Sequence, residues 1–237
     1  MKDSIVDNYD SENLAAKRRW EQIGAAGGIA YVVLQLTSQV LIQTGGSEPA
    51  FNAPAQEIAD FFANRNLSLT PIAGFLTILS IIAFLWFLGV LWAALQRHEG
   101  EPSWLSLVAF ASGVAGMGTL LSSSGWELAL LRLGDGQPAE TGQLLFDQGN
   151  FAFASLWVAI SSMLMATGVV AIRDGALPRW LGWFGLILAL GMLLARYAWF
   201  TASGLKFMPY SLFWLWLIAT SFVLIRRARS YAPEKQG

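Results

Sequence analysis

The sequence predicts an all-α, polytopic integral membrane protein: a six-transmembrane-helix bundle with helical-hairpin repeats and two short outer amphipathic helices. Three observations carry this. The chain has 237 residues, of which 55% are hydrophobic and only 13% charged. Adding its 23 glycines raises the apolar share to about 65%, against roughly 45–50% in ordinary soluble domains, where about 25% of residues are charged. Six stretches are long enough to cross a hydrocarbon core of about 30 Å, which takes roughly 20 helical residues. The 15 lysines and arginines also lie mostly on one side of those stretches. This composition excludes an ordinary soluble domain, a disordered chain and a nucleic-acid-binding protein.

The elements follow in order. Residues 1–22 are polar, contain no apolar signal-peptide core, and read as a cytoplasmic tail. One transmembrane domain, 23–228, contains spans at about 23–43, 71–95, 104–124, 151–172, 181–201 and 208–225. Residues 229–237 form a second cytoplasmic tail. No span contains Asp, Glu or Lys, and Arg196 is the only arginine well inside one. Six spans place both termini and the loops 96–103 and 173–180 on the same side. That side holds 11 of the 15 basic residues, so the positive-inside rule makes it cytoplasmic. The lipid bilayer is the certain partner.

The loops suggest repetition. Trp20, Trp104 and Trp180 each open an outward-going helix. An offset of 84 residues relates Trp20 to Trp104, Pro54-Ala55 to Pro138-Ala139, Phe62 to Phe146 and Asn66 to Asn150. The loops RHEGEPSWL and RDGALPRWL match in the same style. Generic helix caps and interfacial tryptophans would also produce such matches. The repeat reading gives parallel hairpins of spans 1–2, 3–4 and 5–6. The outer segments PAQEIADFFANRN and PAETGQLLFDQGN read as short helices. In the first, Asn52 caps, Pro54 opens the first turn, and Ile58, Phe61 and Phe62 make one apolar stripe.

Small residues recur four apart in the odd spans: Gly24/Gly28, Ala109/Gly113, Ser112/Gly116 and Gly191/Ala195. Such pairs let helices approach closely in lipid. The even spans carry Phe84, Trp86, Phe87 and Trp92, then Phe213, Trp214 and Trp216. This pattern places the odd helices nearer the centre and the bulky even helices toward lipid. A homo-oligomer through the small-residue faces is the alternative use of the same pairs.

Polar groups inside a membrane are costly, so their positions are the best functional clue. Gln35, Gln39 and Gln43 share one face of span 1 at spacing four. The 84-residue offset maps them to Thr119, Ser123 and Glu127. Arg196 is the expected partner of Glu127 near the outer boundary. One reading is an outer-facing polar cavity lined by Gln35, Gln39, Gln43, Thr119, Ser123, Glu127 and Arg196, binding a small solute or lipid headgroup. The other is interhelical hydrogen bonding that fixes the bundle.

Catalytic chemistry has little to stand on. Cysteine is absent and His98 is the single histidine. That excludes thiolate and multi-histidine metal sites and bis-histidine haem within this chain. His98 lies in a cytoplasmic loop, away from Ser122–Ser124, so no base accompanies those hydroxyls. No catalytic residue, metal or cofactor is expected.

The runs LPRWLGWFGLILAL, FFANRN leading to FLWFLGVLWAAL, and FDQGNFAF resemble an uncharacterised family of small multi-spanning bacterial membrane proteins, labelled only as a domain of unknown function. The similarity covers most of residues 55–228. It implies a bacterial cytoplasmic membrane and supplies no reaction or ligand. Three functions remain open: a non-enzymatic ligand-binding or accessory protein, an oligomeric small-solute transporter or channel, and, with least support, a membrane enzyme.

Overall fold

The computed structural model describes residues 2–44, 46, 48–50, 53–64, 68–123, 138–198 and 207–230. These form seven helices: α1 (Lys2–Gln43), α2 (Ala55–Asn64), α3 (Thr70–Glu99), α4 (Trp104–Ser123), α5 (Ala139–Asp174), α6 (Arg179–Tyr197) and α7 (Met208–Ser230). All but α2 are long and apolar enough to cross a membrane. The chain is therefore a multi-pass membrane protein. The described helical start of α1, the end of α7 and the loops α3–α4 and α5–α6 share one end of the bundle, termed here the terminal face.

The six spans close into an up-and-down ring. α1 packs on α3, α3 on α4, α4 on α5, α5 on α6, α6 on α7, and α7 returns to α1. α3 also reaches across the interior to α5 and α7. The ring is filled. Trp157, Trp216, Phe84, Phe87 and Phe213 are at most 1% exposed. The rings of Tyr31, Phe84, Phe213, Tyr210 and Trp157 follow one another at centroid distances of 5.2–6.4 Å across α1, α3, α5 and α7. Outside, large apolar side chains such as Phe75, Leu107, Ile187, Leu194 and Phe222 are exposed, forming the surface that lipid covers. Trp20, Trp104 and Trp180 are exposed toward the terminal face, as interfacial tryptophans are.

The odd helices are not the central ones, and the bulk of the even helices is only partly toward lipid: Trp86 is exposed, whereas Phe84, Phe87, Phe213 and Trp216 are buried. The central helix is α5, an even span: 61% of its most apolar window is buried, against 39–44% for the others. The reason is complementarity. In lipid, water no longer drives association, so helices gain by fitting large side chains into gaps left by small ones. Gly24, Gly27 and Gly28 of α1 lie against Trp86, Ala83, Phe87 and Val90 of α3, with Gly28 also touching Ser221 of α7. A Cβ at Gly113 of α4 would stand 2.8 Å from Leu88 and 3.2 Å from the Met163 sulfur. The Gly24/Gly28 and Gly113/Gly116 faces are thus covered within one chain.

The turns are built locally. Gly175 ends α5 at φ 75°, ψ 16°, the left-handed conformation glycine tolerates. Gly100 ends α3 at φ 72°. Beyond it, the Glu99 carboxylate accepts hydrogen bonds from the backbone N–H of Leu105 (3.0 Å) and Ser106 (2.8 Å) and from the Ser106 hydroxyl (2.5 Å). It caps the first turn of α4 from the preceding helix.

The first outer segment is the separate helix α2. The second is helical too, but runs unbroken into the fourth span as α5. At 36 residues and about 1.5 Å per residue, α5 greatly exceeds a bilayer core. Its first turns project beyond the face opposite the terminal one. There α2 docks on them, burying Ile58 and Phe146 with Ala53. Asn52 and the Phe62 side chain lie outside the described residues.

Candidate functional site

The two polar stripes lie on different seams. Gln35 is buried between α1 and α3, where its side-chain oxygen accepts from the Ser80 hydroxyl at 3.0 Å. One turn along, Ser38 donates to the Ala73 carbonyl at 2.8 Å and stands 3.0 Å from the Thr77 hydroxyl. Gln39 is half-buried and Gln43 exposed at the helix end. On α4, Thr119 and Ser123 donate back to their own helix, to Gly116 and Leu120, each at 2.8 Å. α3 stands between α1 and α4 in the ring, so the described parts of the two stripes face different neighbours. Glu127 lies outside the described residues. Arg196 is half-buried in the last turn of α6 and has no ion-pair partner among the described residues.

Comparable bonds occur round the ring. Ser112 and Ser162 join α4 to α5 at 2.8 Å. Ser161 donates to the Ala189 carbonyl (3.1 Å), joining α5 to α6. The Trp216 indole donates to the Leu181 carbonyl (3.1 Å), joining α7 to α6. Tyr31 and Tyr210 meet at 3.0 Å, joining α1 to α7. The intramembrane polar side chains thus serve largely as ties between neighbours, each worth about 0.6 kcal/mol by analogy with measured membrane cases.

A cavity of about 290 Å³ lies elsewhere, at the terminal face between α1, α3 and α7. Val90 and Ala94 of α3 and Leu224 and Ala228 of α7 form its apolar walls. Glu21, Arg97, His98 and Arg227 supply its polar lining. Both guanidiniums are fixed by backbone carbonyls. Arg97 Nε donates to Ala93 (3.1 Å), and Arg227 donates to Ala176 (2.5 Å) and Gly175 (3.4 Å). Arg97 also pairs with Glu21 at 2.8 Å. Arg227 has no carboxylate partner among the described residues. His98 Nδ1 lies 2.9 Å from the Ala94 carbonyl.

Sequence reasoning counted Arg97 and Arg227 only as topological charges and did not single out Glu21. The available signal was the small residue one turn before each arginine or just after it, Ala94 and Ala228. These leave room beside the cations. A second, almost wholly apolar groove of about 390 Å³ lies between α4, α5 and α6, lined in part by Val108, Met165 and Leu193. Its two serines, Ser161 and Ser162, are already engaged in the ties above.

Comparison with protein-family models, with curated proteins and with solved structures finds no match to this chain.

Proposed function

We propose that this chain is a non-enzymatic protein of a bacterial cytoplasmic membrane, with both termini cytoplasmic, that binds a lipid-like or small amphipathic ligand in a sensory or accessory role. The basic bias of the terminal face supports the orientation. The observation that carries the function is the terminal-face cavity. It combines apolar walls with fixed cations at the end of the bundle, which is the chemistry an amphiphile with an anionic head requires. This reading sets the site at the cytoplasmic edge rather than along the outer stripes.

The test is lipid retention by the full chain in nanodiscs, read by native mass spectrometry. Ala94→Phe fills the cavity while keeping both arginines in the sequence. Retained amphiphile in the wild type and its loss in Ala94→Phe, with unchanged helicity, is the expected result. Equal retention by both proteins would overturn the cavity as the site, and solute flux through the wild type in proteoliposomes would replace this reading with a transport one.

A further inference from the structure

We propose that the terminal-face cavity selects a lipid carrying a single negative charge, a phosphodiester headgroup of the cytoplasmic leaflet, with Arg227 as its anchor and Glu21 as the residue that limits its charge. This rests on the ligand-binding reading above. The first observation is a charge balance. The permanent charges of the lining are Arg97 and Arg227 against Glu21, so one positive charge is unmatched. A monoanion completes the set, whereas a dianion would face Glu21 without a matching cation.

The second observation is how the unmatched charge is held. Arg227 is tied to two carbonyls of the α5–α6 turn. Carbonyls orient a guanidinium without cancelling its charge, and the planar fork keeps further N–H donors for phosphate oxygens. Arg97 is also positioned by a carbonyl, but Glu21 already matches its charge. That pair is partly exposed, at 46% and 38% for the two side chains, so it is weak and can share Arg97 with an incoming oxygen.

The third observation separates a lipid from a soluble anion. Val90, Ala94, Leu224 and Ala228 extend the site as apolar wall. Trp20, beside Glu21, is exposed and packs on Trp86 with centroids 6.0 Å apart. Exposed tryptophans of this kind mark the headgroup level. The charges therefore lie where a headgroup would, and the apolar wall where its glycerol and upper chain would.

The experiment uses the full chain in nanodiscs of equimolar phosphatidylglycerol and phosphatidylcholine, with retained lipid counted by native mass spectrometry. The wild type retains phosphatidylglycerol in preference. Arg227→Gln reduces that preference about fivefold, the usual effect of one basic residue near a membrane surface. Glu21→Gln raises it by a similar factor, which a purely structural role for the Arg97–Glu21 pair would not do. If Arg227→Gln fails to fold, Glu21→Gln and Ala94→Phe still decide the matter. Equal retention of the two lipids, or weaker phosphatidylglycerol retention in Glu21→Gln, overturns the charge assignment while leaving amphiphile binding intact. Displacement of phosphatidylglycerol by millimolar inorganic phosphate overturns the lipid assignment. Retention unaffected by Ala94→Phe overturns the site itself.

Discussion

Gln35 illustrates what a single position reveals. Its spacing with Gln39 and Gln43 put all three on one face of a helix, and the first is buried as a membrane glutamine should be. Which neighbour it faces depended on the packing of α1 against α3, through Gly24, Gly27 and Gly28, and the polar pattern alone did not encode that. Removing the Gln35–Ser80 bond should cost little. A double-mutant cycle of Gln35→Leu and Ser80→Ala, measured by unfolding in detergent, should give a coupling of about 0.6 kcal/mol. Gln39→Leu should be close to neutral, because Gln39 is only half-buried and no polar partner is seen for it among the described residues. Strong loss of assembly in Gln39→Leu would show that its side chain has a structural partner after all.

At the scale of elements, the spans were legible because lipid leaves few options. Each helix must satisfy its own backbone and expose apolar side chains. Helix breaks were less legible. Pro71 stands in the first turn of α3, where a missing backbone N–H costs no helical hydrogen bond. The residue 84 positions later is Ser155, which breaks nothing, so the second outer segment continues into its span. Phe146 on that extension secures α2. Phe146→Ala should release α2, seen as faster hydrogen exchange across residues 55–64, with the spans unaffected. The local cost should be about 3–5 kcal/mol if the site behaves like a buried aromatic elsewhere. The α3–α4 turn offers a second check. Glu99→Gln loses a charged acceptor for the first-turn N–H groups of α4, and should lower stability by about 1 kcal/mol in reversible unfolding.

For the whole molecule, composition announced a membrane bundle, yet it misassigned the interior. Bulk in the even spans suggested lipid contact. In fact the large rings of α3, α5 and α7 fill the ring centre, and the small residues of their neighbours make room for them. Volume alone cannot reveal this, because the gain comes from pairs of surfaces. The candidate site suffered the same limit. Polar residues inside the spans drew attention, but most are tied to neighbours or to their own helix. The cavity lies between three helices at the terminal face, among residues that a one-dimensional reading counts as boundary charges. The basic bias there also makes a topological forecast: a reporter fused after Gly237 should remain in the cytoplasm, and its appearance outside would invert the bundle.

The most direct test is a structure of the full chain determined in native lipid. Headgroup density against Arg227 and Arg97, with an acyl chain along Val90 and Leu224, is the expected result. An empty terminal-face cavity, with ligand density instead beside Gln39, Gln43 and Arg196, would contradict it.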